Sequence, residues 1–165
     1  MPLPLETARL RIRALVSGDL PELHRLISSD AEVQRYRHMP VAATLEESRP
    51  FFERLLEHQR LRGFSLWAVE ARETGELLGQ CGVVQLRGAA EIAYSFGRAY
   101  WGRGYATEAA RACLDFAIAE LGLSPVVAYM DPANVGSKRV AEKLGMRDDG
   151  REELNGVAYL RYAIP

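Results

Sequence analysis

The sequence predicts an α/β (α+β) fold: one mixed, mostly antiparallel sheet, helices on both of its faces, and a parallel strand pair within it. Three observations predict this. The strand-like run 91–96, the glycine turn Gly102-Arg103-Gly104 and a helical pattern from about Ala106 to Leu121 follow one another directly. A short buried-type strand, Val126 to Met130, comes next, and strand, helix, strand in succession implies a right-handed crossover between parallel neighbours. The flanking strand-like runs are joined instead by short turns, among them Asn155-Gly156, the pair favoured in two-residue hairpins.

The elements read as follows. Arg9 to Arg13 alternates polar and apolar residues, as a half-buried strand does. Asp19-Leu20-Pro21-Glu22 carries helix-start signals: a carboxylate cap, an early proline and a Glu three residues after the cap. Leu20, Leu23, Leu26 and Ile27 then form one apolar stripe. Residues 30–43 read as a polar, aromatic-bearing loop or short helix. Thr44-Leu45-Glu46-Glu47 is a capping box that opens a second helix, with Phe51, Leu55 and Leu56 inward. Strands follow at Phe64 to Glu70 and Leu77 to Leu86, separated by turn chemistry at 73–76. With the strand that starts at Glu91, after the break at Gly88, they make an antiparallel meander. The central helix buries Ala110, Cys113, Leu114, Ala117 and Leu121, and Gly122 is its left-handed stop. Asn134 caps a last helix, with Val140 and Leu144 inward and Gly145 at its end. Glu152 to Leu154 and Ala158 to Ile164 form the closing hairpin.

The glycine turn is the chemically informative stretch. Glycines let the backbone turn tightly and leave its N–H groups uncovered. A helix start adds unpaired N–H groups and the positive end of the helix dipole. Together they suit a phosphate or pyrophosphate. A dinucleotide fingerprint would need a third glycine where Thr107 stands and an acidic residue about twenty positions on, where Leu123-Ser124-Pro125 is found. A phosphate-loop NTPase would need Gly-Lys-Ser/Thr, and the chain has Gly136-Ser137-Lys138 in the wrong order and place.

Trp101-Gly102-Arg103-Gly104-Tyr105-Ala106-Thr107-Glu108-Ala109 resembles the coenzyme A loop of the GNAT acetyltransferases, and in particular of their Rim-type, ribosomal-protein N-terminal branch. Gly104 and Ala106 match the last two fixed positions of the general pattern, and Trp101 replaces its Gln/Arg. Two further blocks share the resemblance: Thr7 to Arg13, and Asp131 to Ser137 with Glu142 to Met146. It covers nearly the whole chain, taken as a single N-acetyltransferase domain over 1–165, and implies the GNAT fold with a splayed parallel pair. It implies that Trp101, Gly102, Arg103, Gly104, Tyr105, Ala106 and Thr107 hold the phosphates of acetyl-CoA, the co-substrate. It also implies that the pantetheine arm pairs, like an added strand, with backbone at Ser95 and Phe96, where a backbone N–H polarises the thioester carbonyl, and that Asn134 touches a pantetheine amide. Relatives often carry a proline where Gly97-Arg98 stands, which leaves Arg98 either loosening the loop or facing a phosphate.

Two candidates carry the chemistry. Glu91 is the candidate general base toward the acceptor ammonium, its plain alternative being an exposed charge at a strand start. The resemblance, whose members carry a Tyr or Ser in this region, implies that Ser137 is the proton donor to the departing thiolate, a role compatible with a serine satisfying a helix start. Trp101 is expected to pack under the loop, and Tyr129 to be core. His24, His38 and His58 show no metal-ligand spacing, so no metal is expected. His38 is read as a surface residue on the acceptor-side loop.

Composition bounds the rest. A chain of 165 residues, 48% hydrophobic and 26% charged, is an ordinary globular length and mixture. Its net charge of -1 argues against a direct nucleic-acid partner. Cys81 and Cys113 lie in apolar patterns and read as core thiols of a reducing, cytoplasmic compartment. Met1 leads into Pro2-Leu3-Pro4 without a basic start or apolar core, so no secretory segment is expected, and no apolar run is long enough for a membrane partner. The acceptor is a primary amine, by resemblance a protein N-terminus. Alternatives are a small-molecule amine such as an amino acid, polyamine or aminoglycoside, or a non-catalytic acetyl-CoA-binding module. Residues 34–44 and 154–158 should frame the acceptor pocket, in a monomer or homodimer.

Overall fold

The structure, a computed structural model, describes residues 3–85 and 88–165. Its strands are β1 (Leu5–Glu6), β2 (Leu10–Arg13), β3 (Leu66–Ala71), β4 (Leu77–Gln85), β5 (Ala90–Phe96), β6 (Val126–Met130), β7 (Arg147–Leu154) and β8 (Val157–Ile164). They form one eight-stranded sheet in the order β1-β2-β3-β4-β5-β6-β8-β7. Every neighbouring pair is antiparallel except β5 and β6, which are parallel. The predicted meander, crossover and hairpin are all present. Leu86, the expected end of β4, lies outside the described residues, as do Met1 and Pro2, on which the reading of the leader rests.

The helices divide between the two faces. Ser17–Asp19, Leu20–Leu23 and His24–Ser28 run on as one stretch, α1, followed by α2 (Ala31–Gln34) and α3 (Leu45–Arg62). After the sheet turns comes α4 (Tyr105–Ala119), the predicted central helix, and then α5 (Val135–Lys143). Ala110, Cys113, Leu114 and Ala117 of α4 pack with Trp67, Cys81, Ile92 and Phe96 in one core. Leu20, Leu23, Phe52 and Leu55 of α1 and α3 pack with Ala68 and Val84 in a second. The sheet lies between them. Ala90, Ile92 and Phe96 belong to the α4 core while Ala93 packs on the α1/α3 core, so alternation puts Glu91 and Ser95 on the α1/α3 face.

The parallel pair parts almost at once. Registered partners are Ala90 with Val126 and Glu91 with Val127. Beyond them β5 runs on to Phe96 and β6 to Met130 as a splay, with strand-edge N–H and C=O groups facing the gap. Gly79 sits opposite Phe96, and a Cβ there would meet the Ser95 carbonyl oxygen at 2.2 Å. Glycine thus lets the end of β5 lie close against β4.

Local corrections have clear causes. Asp19 stands at the expected N-cap position before Leu20–Leu23, but its side chain does not cap α1. That helix begins earlier, at Ser17, and the Asp19 carboxylate reaches back to the Val16 N–H (2.9 Å) while holding Arg13 in two contacts of 2.8 and 2.9 Å. The last hairpin starts at Arg147 rather than Glu152, because pairing with β8 holds the polar run 147–151 extended, through an irregularity between Asp148 and Arg151. Thr44 and Glu47 do form the expected cap, although Glu47 reaches back to the Ala43 N–H at 2.8 Å. Gly122 is left-handed as expected, at φ +64°, but α4 ends earlier than the expected Leu121, at Ala119 with Glu120 as its C-cap.

Candidate active site

The loop between β5 and α4 needs its glycines. Gly102 and Gly104 have φ of +74° and +80°, a region that costs other L-residues roughly 1–2 kcal/mol. A Cβ at Gly102 would meet nothing within 4 Å, so the backbone there is open to an approaching group. Gly104 is the N-cap of α4 and brings no side chain to it. The first helical bond runs from the Glu108 N–H to the Gly104 carbonyl at 3.1 Å. The N–H groups of Tyr105, Ala106 and Thr107 are the orphan donors of the helix start, at the positive end of its dipole.

A negative side chain in that first turn would oppose an anion, and Glu108 is there. Its carboxylate is turned to β1 and β2. It accepts from Thr7 Oγ1 (2.6 Å), from the Arg9 backbone N–H (2.9 Å) and from Arg9 Nε (2.7 Å). Arg9 also donates Nη1 to the Arg103 carbonyl at 2.9 Å, and its guanidinium lies 4.4 Å from the centre of the Tyr105 ring. Thr7 and Arg9 therefore neutralise Glu108 and fasten the loop from behind. Burial raises the Glu108 carboxyl, but Thr7, the Arg9 N–H and the Arg9 guanidinium outweigh it and hold the carboxyl below its ordinary value. A lowered carboxyl stabilises the fold above the unfolded carboxylate range and loses that contribution as pH falls. Glu108→Gln should therefore lower the melting temperature at pH 7 by several degrees and by much less near pH 3, and should weaken coenzyme A binding several-fold at pH 7. An equal melting loss at both pH values would remove the charge from this account.

A cavity of about 560 Å³ opens beside the loop. Trp101, Gly102, Gly104, Tyr105, Ala106 and Thr107 line one end, with Ser95 and Phe96 of the splay, and Asn134 and Ser137 of α5 across from them. Glu32, Val33, Tyr36 and Arg37 border it from the α2 side. Arg103 and Glu91 are not among its lining residues. The Arg103 backbone carbonyl accepts from Arg9 Nη1. Trp101 does not pack under the loop. Its indole is 49% exposed, and it fixes the loop by donating Nε1 to the Phe96 carbonyl at 2.9 Å. Arg98 pairs with Asp30 at 3.0 Å and so is committed to the α2 side rather than to a phosphate.

Ser137 stands in a directed network. Its N–H donates to Asn134 Oδ1 at 3.1 Å, which fixes the Asn134 amide, and Asn134 Nδ2 then donates to Ser137 Oγ at 3.1 Å. Tyr94 donates its hydroxyl to the same oxygen at 3.4 Å. A serine hydroxyl has two acceptor positions and one O–H. With both acceptor positions taken, the Ser137 O–H is left to donate toward the cavity. Burial pushes the Tyr94 phenol up to about 12, which keeps it a donor at neutral pH.

Glu91 lies at the vertex of the splay, between Val84 and Val127. It is half-buried on the α1/α3 face, whereas Ser137 belongs to α5 on the other. The two candidates thus approach the gap from opposite sides. Tyr129 is not a core residue. Half-buried, it donates its hydroxyl to Glu152 Oε2 at 2.6 Å, and burial, the Glu152 carboxylate and then Glu91 raise its phenol. His38 is exposed as expected, but its Nε2 lies 2.6 Å from Asp131 Oδ2 and its ring packs edge-on to Tyr159. That contact joins the 34–44 loop to the turn before α5 and to the last hairpin. Cys81 and Cys113 are buried free thiols, Cys113 raised well above its ordinary value by burial. Among the described residues no group of three or more His, Cys, Asp or Glu is arranged for a metal ion, and no helix is long and apolar enough to cross a membrane.

Sequence reasoning missed Tyr94, Arg37 and the Thr7–Arg9–Glu108 fastening. Only the fastening had a signal: its residues sat inside the blocks that carried the family resemblance.

Residues 9–147 match the acetyltransferase (GNAT) domain family. The uncharacterised protein YkkB of Bacillus subtilis is 41% identical over 149 residues, covering 86% of this chain and 84% of that one. A GNAT acetyltransferase from Bacillus anthracis superposes with a TM-score of 0.84 at 28% identity, over 98% of both chains. RimL, the ribosomal L7/L12 alpha-N-protein acetyltransferase, solved with coenzyme A, superposes with a TM-score of 0.82 at 21% identity over 96% of this chain and 94% of its own, a likeness of fold. The chain therefore belongs to the GNAT family and is an acetyltransferase.

Proposed function

We propose that this protein transfers the acetyl group of acetyl-CoA to a primary amine, by direct attack with both substrates bound. The observation that carries the reading is the continuity of the cavity. It runs from the uncapped start of α4, past the parted edge of β5, to Ser137. The residues suit acetyl-CoA at each point: N–H donors for phosphate, strand-edge backbone for the amides of the arm, and a hydroxyl at its end. In the reaction the amine nitrogen bonds to the thioester carbonyl carbon and the carbon–sulfur bond breaks. Glu91 takes the ammonium proton through water on the α1/α3 face, the backbone near Phe96 polarises the carbonyl, and Ser137 meets the thiolate on the α5 side. The acceptor is a protein N-terminus by the Rim-type resemblance. A small amine bearing an acid is the second reading, which the Arg37 side of the cavity favours. Two buried free thiols suit a cytoplasmic protein.

The test is release of coenzyme A thiol from acetyl-CoA against peptides and small amines. No release with any acceptor, from protein that binds coenzyme A, would overturn the reading. Glu91→Gln tests the base. It should be slow near neutrality and partly recover at high pH, where free amine already exists. Recovery should be incomplete, since the carboxylate also orients the cationic acceptor. A wild-type pH profile would send the proton by another route, with Glu152 beside Tyr129 the nearest alternative acid on the hairpin.

A further inference from the structure

Arg37 differs from the arginines that hold carboxylates, and also from Arg62, Arg72 and Arg111, which bond neutral oxygens but are exposed. Arg9, Arg13, Arg25 and Arg98 each hold a carboxylate. Arg37 is half-buried, lines the main cavity, and also lines the small pocket beneath it between α1 and α3. Its hydrogen bond is to a neutral group: Nη1 donates to Gln34 Oε1 at 2.8 Å. Gln34 is itself buried and anchored to the Pro40 carbonyl (3.4 Å), and the guanidinium lies 5.6 Å from the centre of the Phe51 ring. Among the described residues no carboxylate is paired with it. Desolvation alone pulls the guanidinium down to about 10.

A guanidinium partly withdrawn from water without a counter-charge is costly, and such a group is retained where an anion arrives to meet it. The polar surroundings agree. Ser48, Gln80 and Ser95 are buried polar residues of the same α1/α3 side, in a region otherwise packed with leucine and phenylalanine. Three features place this anion on the acceptor rather than on the cofactor. The phosphate cradle is the start of α4, on the opposite core. Phe51, against which Arg37 rests, belongs to α3. Glu91, the proposed base for the amine, shares the α1/α3 face.

We infer that the amine acceptor carries a carboxylate and that Arg37 binds it, with Gln34 holding the guanidinium in position. The inference rests on the acetyl-transfer reading for the word acceptor, but binding tests it without turnover. A carboxylate engages the planar fork of N–H donors two at a time, which fixes the acceptor's orientation as well as its charge. The amine then projects toward the splay. Two sources supply this chemistry: the α-carboxylate of a free amino acid, or an acidic side chain next to the amine of a peptide.

The experiment uses the full chain saturated with coenzyme A. N-acetyl-alanine and N-acetyl-alaninamide probe the free-acid source. N-acetyl-Ala-Asp-amide and N-acetyl-Ala-Asn-amide probe the peptide source. At least one carboxylate should raise the melting temperature while its neutral counterpart does not, and Arg37→Gln should abolish that difference but keep the shift due to coenzyme A. In turnover, Arg37→Gln should raise KM for acid-bearing acceptors about tenfold to a hundredfold, and by much less for neutral ones. Arg37→Met, without ligand, should melt no lower than wild type, since it removes a desolvated charge and keeps the bulk. The inference is overturned if neither carboxylate stabilises the wild type, if Arg37→Gln responds to them equally, or if it loses the coenzyme A shift, which would give Arg37 to the cofactor. A large melting loss in Arg37→Met would make the residue structural and overturn it too. Absence of turnover with the carboxylate effect intact would instead count against the transfer reading alone.

Discussion

Gly104→Asp should fold and should lose coenzyme A binding altogether. Two effects act together. The residue sits at φ +80°, so any side chain adds strain of roughly 1–2 kcal/mol. Strain of that size lowers stability without unfolding an ordinary domain. A carboxylate at the N-cap would normally reward the helix, as Asp is among the best capping residues. Here the same charge stands among the N–H groups that must meet phosphate, and the negative field repels what those donors attract. At coenzyme A one hundredfold above its dissociation constant, binding stabilises the wild type by about 2.7 kcal/mol, and that increment should vanish. Gly104→Ala separates the terms. It carries the strain without the charge, and its built Cβ would lie 3.5 Å from Arg9 Nη2, an ordinary contact. It should melt lower than wild type but still respond to coenzyme A. A folded Gly104→Asp protein with an undiminished shift would place the cofactor elsewhere.

The contrast between this loop and Arg37 shows what a sequence makes legible. Strand, glycines and helix start lie within twenty residues, and each signal is local, so the glycine turn and the uncapped helix start could be read without coordinates. The hairpin at Asn155-Gly156 and the caps at Thr44 and Asn134 were legible for the same reason: turn and cap chemistry depends on neighbours in sequence. Element ends set by pairing were not. The run Arg147 to Arg151 has no apolar alternation, and β8 alone makes it a strand. Trp101 was misjudged because an indole's burial depends on what covers it, and here its polar edge does the holding. The fastening of Glu108 by Thr7 and Arg9 joins residues about a hundred positions apart. Arg37 has an ordinary sequence context. Its significance comes from having only a neutral hydrogen-bond partner, with no carboxylate paired to it among the described residues, and that is visible only in three dimensions. Tyr94 likewise reads as one more strand aromatic until α5 brings Ser137 to its hydroxyl.

That contact sets the outcome for the leaving thiolate. Ser137→Ala should reduce kcat by about tenfold to a hundredfold, the usual worth of a positioned proton donor, while acetyl-CoA affinity changes little. The helix start would survive the change, because Asn134 accepts from the backbone N–H of residue 137, not from its side chain. The loss should therefore appear in turnover and not in stability. Tyr94→Phe makes the finer test. The phenol removed is part of a half-buried side chain and half of a pair, yet its ring still packs with the α4 core. Without it, one acceptor position on Ser137 Oγ becomes free and the hydroxyl can turn away from the cavity. Turnover should fall by less than in Ser137→Ala, with the coenzyme A shift again retained. Combining the changes should cost no more than Ser137→Ala alone, because Tyr94 acts through the serine. Independent, additive losses would mean that Tyr94 touches the substrate itself, and an unchanged kcat in Ser137→Ala would reduce the serine to a helix-start residue, with water protonating the thiolate.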